Sequence, residues 1–272
     1  MATSNGNYPV VVGIDGSAAA LDAALWAIDE AEARDVPLRL VSSIDRGGSD
    51  ASGDELRMSQ EYAQTSLRSA RTAIDAAGRS VKVESAVLEG SPGANLIEES
   101  RHAAMICVGS SGIGRFAESL FGSTATSVAE NAHCPVAIIR RHPSRQSSGP
   151  GMIAVPVGAF DGDDHVIGTA VAEAALRGRS VLAVGVWERD FGDTPYDELD
   201  RRTARWQERH PHVRIHVTAG AAGISQFLAE HTEPVDMVVL PCADADEVAN
   251  IVGPHSRSLT RHPECSVLIV RQ

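Results

Sequence analysis

Lysine is almost missing from this chain: of its 24 basic residues only Lys82 is one. A Walker-type phosphate loop ends in Gly-Lys-Ser/Thr, because that lysine must reach the phosphates. Lys82 stands between Val81 and Val83, so this class of NTPase is excluded. Any phosphate bound here must be met by backbone N–H groups, hydroxyls, arginine or a metal. Aromatic residues make up only 4% of the 272 residues, so cores must be built from Val, Ile, Leu and Ala. The four cysteines (Cys107, Cys134, Cys242, Cys265) form no Cys-x-x-Cys and most sit in or beside apolar runs, which predicts small, reduced core residues. Neither His-Glu-x-x-His nor Gly-x-Ser-x-Gly occurs. Positive charge is in deficit, the formal net charge being -12, which argues against broad binding to nucleic acid or anionic membrane. Long apolar runs are absent too, and the polar stretch Met1 to Asn7 has no signal-peptide character, so a cytoplasmic protein is expected.

Short apolar runs alternating with helical periodicity are abundant. Val10 to Ile14 reads as a buried strand, Ala18 to Arg34 as a helix, and Leu38 to Ile44 as a second strand. A polar Gly/Ser-rich loop, 46–53, precedes a long helix over 54–77 and a strand over 81–88. Ser91-Pro92 opens a helix, with Ser as N-cap and Pro in first position. A strand over 103–108, a helix over 119–132 and a strand over 135–139 complete a βαβαβαβαβ series, the pattern of a parallel sheet covered on both faces. A 3-2-1-4-5 strand order puts the ends of strands one and four side by side, where such sheets bind ligands.

The first candidate site lies there. Gly109-Ser110-Ser111-Gly112 follows the fourth strand, and Gly122-Ser123-Thr124 opens the next helix. Strand, glycine loop and a hydroxyl-rich helix start suit an anion. Asp15 follows the first strand.

After a linker over 142–151 the pattern repeats. Strands are expected over 152–157, 181–186, 213–217, 235–240 and 266–270, with a turn at Asp161-Gly162 and a helix ending near Arg177. Cys134-Pro135-Val136 matches Cys265-Ser266-Val267, Arg140 matches Arg271, Gly122 matches Gly253 and Ser127 matches Ser258, always 131 residues on. The chain is a tandem duplication, with a first domain over 8–141 and a second over 152–272. At the same offset Gly109 becomes Leu240, Gly112 becomes Ala243, Arg115 becomes Asp246 and Ser123 becomes Pro254, which has no N–H. Asp244, Asp246 and Glu247 put acids where phosphates would lie. The second domain is therefore expected to have lost the site, and the first-domain glycines to serve a ligand rather than the fold.

Val11-Val12-Gly13-Ile14-Asp15-Gly16-Ser17 and Val108-Gly109-Ser110-Ser111-Gly112…Gly122-Ser123…His133-Cys134-Pro135-Val136 resemble the universal stress protein family. The two-domain layout resembles its tandem actinobacterial members, with two Rossmann-like domains of flavodoxin-like strand order. The Gly-x2-Gly-x9-Gly-Ser spacing is similar to that of its ATP-binding branch. The resemblance implies that Gly13 and Asp15 line the adenosine pocket, with the backbone near Ser43 meeting the adenine edge. It implies that Gly109, Ser110, Ser111 and Gly112 let ribose and phosphates approach, the contact set continuing through Ile113 and Gly114. Gly122, Ser123 and Thr124 would hold phosphates. Arg115, the guanidinium nearest the loop, is added as a candidate for a terminal phosphate, and Asp15 as a candidate for Mg2+ carried in with ATP. The resemblance also implies pairing of the two fifth strands as an intramolecular pseudo-dimer, and is compatible with a homodimer and an unknown protein partner. The leading expectation is an ATP-binding regulator with a role in stress response. The alternatives are a slow Mg-dependent ATPase or phosphotransferase, and a nucleotide-free dimeric scaffold.

Three features are read as structural. His210-Pro211-His212 lies in a loop, and His255 and His262 are expected at the surface. Arg201-Arg202-Thr203-Ala204-Arg205 reads as a solvated helix face. Trp26, Trp187 and Trp206 read as core or rim residues.

Overall fold

The structure, a computed structural model, describes residues 8–44, 53–112, 122–140, 151–158, 164–186, 195–220, 223–253, 262 and 265–271. The chain divides into two compact units, Met1–Arg141 and His142–Gln272.

The first unit contains β1 (Val10–Gly13), α1 (Ala18–Arg34), β2 (Leu38–Ile44), α2 (Gly53–Ala76), β3 (Val83–Glu89), α3 (Pro92–Glu99), β4 (Met105–Gly109), α4 (Ser123–Asn131) and β5 (Val136–Ile139). All pairings are parallel, in the order β3-β2-β1-β4-β5. The central strands are apolar throughout because helices cover both faces: Val10, Val11 and Val12 are fully buried, as are Ile106 and Cys107. α1 begins where the sequence places it. Ser17 is its N-cap and accepts from the Ala20 N–H at 3.1 Å, a cap worth about 1 kcal/mol. Its buried face is alanine (Ala19, Ala20, Ala23, Ala24, Ala27 and Ala31), which brings its backbone close to the sheet. Ser91 caps α3 with Pro92 as the first helical residue, as the sequence predicts.

The second unit contains β6 (Met152–Val157), α5 (Asp164–Arg177), β7 (Ser180–Val186), α6 (Pro195–Arg209), β8 (Ile215–Gly220), α7 (Ile224–Glu230), β9 (Val235–Pro241), α8 (Glu247–Val252) and β10 (Ser266–Val270). Its parallel order β8-β7-β6-β9-β10 is again 3-2-1-4-5. The helices α7 and α8 are short and escaped the periodicity reading. β8 starts two residues later than expected. The Gln207 side chain takes the backbone at the strand entrance, donating to the Val213 carbonyl at 2.8 Å and accepting from the Ile215 N–H at 3.1 Å.

Burial corrects three readings. Cys107, Cys134 and Cys265 are buried and outside any disulfide, but Cys242 is exposed, because it lies beyond the end of β9. His262 is not at the surface: it is 3% exposed, its Nε2 3.0 Å from the Leu228 carbonyl and its Nδ1 accepting from the Val235 N–H at 3.4 Å. Arg202 is not solvated either. It is 3% exposed and donates from Nη1 to the Gly158 carbonyl. His255 and Trp187 lie outside the described residues.

One feature survives in both units. Glu30, fully buried on α1, pairs with Arg34 in that helix's last turn. Glu173, 3% exposed on α5, pairs with Arg177 in the same place at 3.1 Å. A buried ion pair adds little net stability, but removal of one partner strands a charge, and the same pair stands near the end of the first helix of each unit.

Burial of one histidine, His231, predicts an acid-sensitive second unit. His231 stacks on Phe227 at 5.0 Å and lies 6.2 Å from His262. Burial lowers its pKa from the ordinary 6.5, against a smaller upward pull from Glu233. With the folded value below the unfolded one, the unfolded chain binds more protons between the two. Stability from this group is complete above about pH 6.5 and falls as pH drops toward the folded value. Thermal unfolding of the full chain is expected at lower temperature at pH 5.5 than at 7.5, and a His231→Phe variant should show a smaller difference. An unchanged difference would rule His231 out as a source.

Candidate functional site

The loop after β1 and the loop after β4 meet at the point where strand order reverses, since β1 pairs with β2 on one side and β4 on the other. Gly13 ends β1 opposite Val41. A Cβ on Gly13 would stand 2.9 Å from the Leu96 side chain of α3, so its missing side chain makes room for that helix.

Asp15 is held on three sides. One carboxylate oxygen accepts from the Ser17 N–H at 2.9 Å. The other lies 2.7 Å from where a Cβ on Gly112 would be. Its backbone carbonyl accepts from the Tyr62 hydroxyl at 3.1 Å. Gly112 thus brings the second loop against the Asp15 carboxylate, which a side chain at that position would push aside.

Gly109 ends β4 opposite Ile139. Its role corrects the expectation that these glycines serve only a ligand. A Cβ there would lie 2.6 Å from the Ala19 carbonyl carbon, 2.8 Å from Ala19 Cβ and 2.8 Å from Ala20 N. Gly109 is required for docking of α1. The next residue, Ser110, is 8% exposed; its N–H donates to the Ile139 carbonyl at 2.8 Å and its carbonyl accepts from the Gly122 N–H at 3.2 Å. The β4 exit is therefore stitched to β5 on one side and to the start of α4 on the other. The Ser17 hydroxyl lies 3.5 Å from the Ser111 carbonyl, which brings the two loops into contact.

α4 opens on Gly122, whose extended backbone (φ -66°, ψ 136°) caps the helix with no side-chain acceptor. The first-turn N–H groups of a helix have no intrahelical partner. At Ser123 and Thr124 they are offered none by the cap, and both residues add hydroxyls. The nine-residue helix supplies a positive dipole end at the same spot.

Ser43, one residue before the end of β2, accepts through its hydroxyl from the Asn95 side-chain amide at 3.0 Å. The structure thus brings Gly13, Asp15, Gly109 to Gly112, Gly122, Ser123 and Thr124 to one end of the sheet, with Ser43 two strands away from β4. Ile113, Gly114 and Arg115 lie outside the described residues. Two neighbours of the Asp15-Gly16 turn were not foreseen, Tyr62 and Ser66. Both crowd Gly16, whose φ of +84° belongs to the left-handed region. A lone tyrosine in a helix otherwise polar and alanine-rich was the available signal.

The equivalent place in the second unit is built differently. Ladder register sets Pro241 opposite Val270 as Gly109 is opposite Ile139. Since Ile139 and Val270 are 131 residues apart, the position of Gly109 is taken by Pro241 rather than by Leu240. A 3-10 turn (Cys242–Asp244) and α8 then follow, with Glu247 in the first helical turn. Asp161, Gly162 and Pro254 lie outside the described residues.

Among the described residues no helix is long and apolar enough to cross a membrane. A family profile described as universal stress protein family matches residues 7–140. Universal stress protein Rv2624c of Mycobacterium tuberculosis is 44% identical over 263 residues, covering 97% of this chain and 96% of the relative. Universal stress protein Rv2028c of the same organism is 39% identical over 268 residues, covering 97% and 96%. A solved universal stress protein from Archaeoglobus fulgidus superposes with a TM-score of 0.70 at 20% identity, covering 98% of this chain and 97% of that one, a likeness of fold. With relatives this similar matched over nearly their whole length, the chain belongs to the universal stress protein family.

Proposed function

We propose that this chain is a cytoplasmic regulator that binds ATP in its first unit, once per chain. The observation that carries the reading is the start of α4: a glycine cap without a side chain, followed by Ser123 and Thr124, tied through Gly122 and Ser110 to the loop that faces Asp15. Phosphates would be held by the N–H groups and hydroxyls of Ser123 and Thr124, where the dipole end favours negative charge. The Asp15 carboxylate oxygen beside Gly112 would take a ribose hydroxyl or an Mg2+ that accompanies the nucleotide. Adenine would reach toward the backbone at Ser43. A metal there would neutralise phosphate charge, which suits a chain without a phosphate-loop lysine.

Absence of that lysine, and the making of the site from backbone and hydroxyl donors, favour holding the nucleotide over turning it over. Bound ATP would then act by ordering the two loops that meet at Asp15, changing which partner the protein engages under stress. The second unit does not take part. Pro241 supplies no N–H, and Asp244, Asp246 and Glu247 oppose phosphate.

Calorimetric titration of the full chain with ATP and Mg2+ is expected to give one site per chain. Two equivalent sites would overturn the assignment to the first unit, and no binding would overturn the reading. Sustained Mg-dependent phosphate release abolished by Asp15→Ala would instead favour an ATPase.

A further inference from the structure

We infer that Tyr62 is a positioning residue for the nucleotide site, acting through Asp15; the inference rests on the ATP reading above. Tyr62 lies on α2, 47 residues from Asp15, and is half exposed. Its hydroxyl donates to the Asp15 carbonyl at 3.1 Å. The next residue, Gly16, has φ +84°, and a Cβ there would fall 2.5 Å from the Tyr62 hydroxyl oxygen and 2.7 Å from the Ser66 hydroxyl. The turn is thus pressed against α2, and only glycine leaves room for it. With carbonyl and turn held from outside, the Asp15 side chain sets one oxygen on the Ser17 N–H and the other facing Gly112.

The second unit supports this as a device of the fold. There α6, which links β7 to β8 as α2 links β2 to β3, sends Arg202 to the carbonyl of Gly158, the residue after β6. The second helix of each unit therefore clamps the exit of the first strand. The donor differs in a way that matters. A guanidinium beside Asp15 would compete for its carboxylate. The phenol of Tyr62 holds the carbonyl while adding no charge, so the carboxylate keeps its second oxygen for ribose or metal. Among the described residues the phenol donor stands in the unit with the glycine loop and the guanidinium donor in the other.

The test is a double-mutant cycle on the full chain, titrated with ATP and Mg2+: wild type, Tyr62→Phe, Asp15→Asn and the double variant. Asparagine keeps the acceptor for the Ser17 N–H. Loss of one hydrogen bond should weaken ATP binding about threefold to tenfold in Tyr62→Phe. In the Asp15→Asn background the same change should have almost no further effect, because its route has been removed. A merely structural role would give effects that multiply. Without nucleotide, amide exchange at Ser17 should be faster in Tyr62→Phe while the thermal midpoint stays within about 2 °C, the ring being retained. Wild-type affinity in Tyr62→Phe, or multiplying effects, overturns the inference and leaves the ATP site standing. Failure of the unaltered chain to bind ATP overturns both readings, and is distinguished by occurring before any substitution.

Discussion

Replacing Gly109 by alanine is expected to destabilise the first unit by about 3 kcal/mol or more, at the upper end of overpacking costs. The three atoms that an added Cβ would meet, at 2.6 to 2.8 Å, all belong to Ala19 and Ala20 of α1. Two of them are backbone, and the third is the Cβ of the first buried alanine. None is the tip of a long side chain that could rotate away, so α1 must move off the sheet. That movement would also break the seam of alanines that brings the helix in so closely, and would shift the Ser17 cap with it. Denaturant unfolding followed by circular dichroism checks this through the midpoint. A midpoint equal to that of the unaltered protein would show that α1 does not dock as described.

The second large effect is functional. Gly122→Glu is expected to reduce ATP affinity a hundredfold or more while leaving the fold intact. The backbone at Gly122 is one any L-residue adopts, and the nearest atom to an added Cβ is the Ser110 carbonyl oxygen at 3.7 Å, so the side chain is accommodated. A carboxylate at a helix N-terminus is favourable for the helix itself. The same carboxylate, however, occupies the dipole end proposed for phosphate and repels it, by about 4 kcal/mol for charges 4 Å apart at a surface-like dielectric. Binding is thus lost without loss of stability. Gly122→Ala adds bulk without charge and should bind ATP nearly as the unaltered chain does. Calorimetric titration of both variants, with thermal melts as the folding control, reads the result. Undiminished binding by Gly122→Glu would place the phosphates elsewhere.

Much of this was legible in residue order. Alternation of short valine-rich runs with helical periodicity specifies a parallel sheet, because strands buried on both faces must be apolar throughout. The caps Ser17 and Ser91 are local, reading only a few residues of chain, and both helices start where these residues stand. The 131-residue repeat is visible because β5 and β10 and their flanks kept their residue types. What was misread depends on contacts made far along the chain. His262 and Arg202 are polar, and periodicity assigns polar residues to water; each is buried because a distant carbonyl waits for it, Leu228 for one and Gly158 for the other. The one-residue shift that puts Pro241 in the place of Gly109 shows only in ladder register, since an offset counted along the chain is blind to a local irregularity such as the one in the β6–β9 pairing.

The sequence by itself determined the class of fold, its duplication and the exclusion of a lysine phosphate loop, because each is written in local pattern or in the absence of a residue type. Only the tertiary structure decided what each glycine is for. Gly109 makes way for the backbone of α1, Gly112 for the carboxylate of Asp15, and Gly122 for no side chain at all. A missing side chain has no chemistry of its own to read, and its meaning is the atom that occupies the space it leaves.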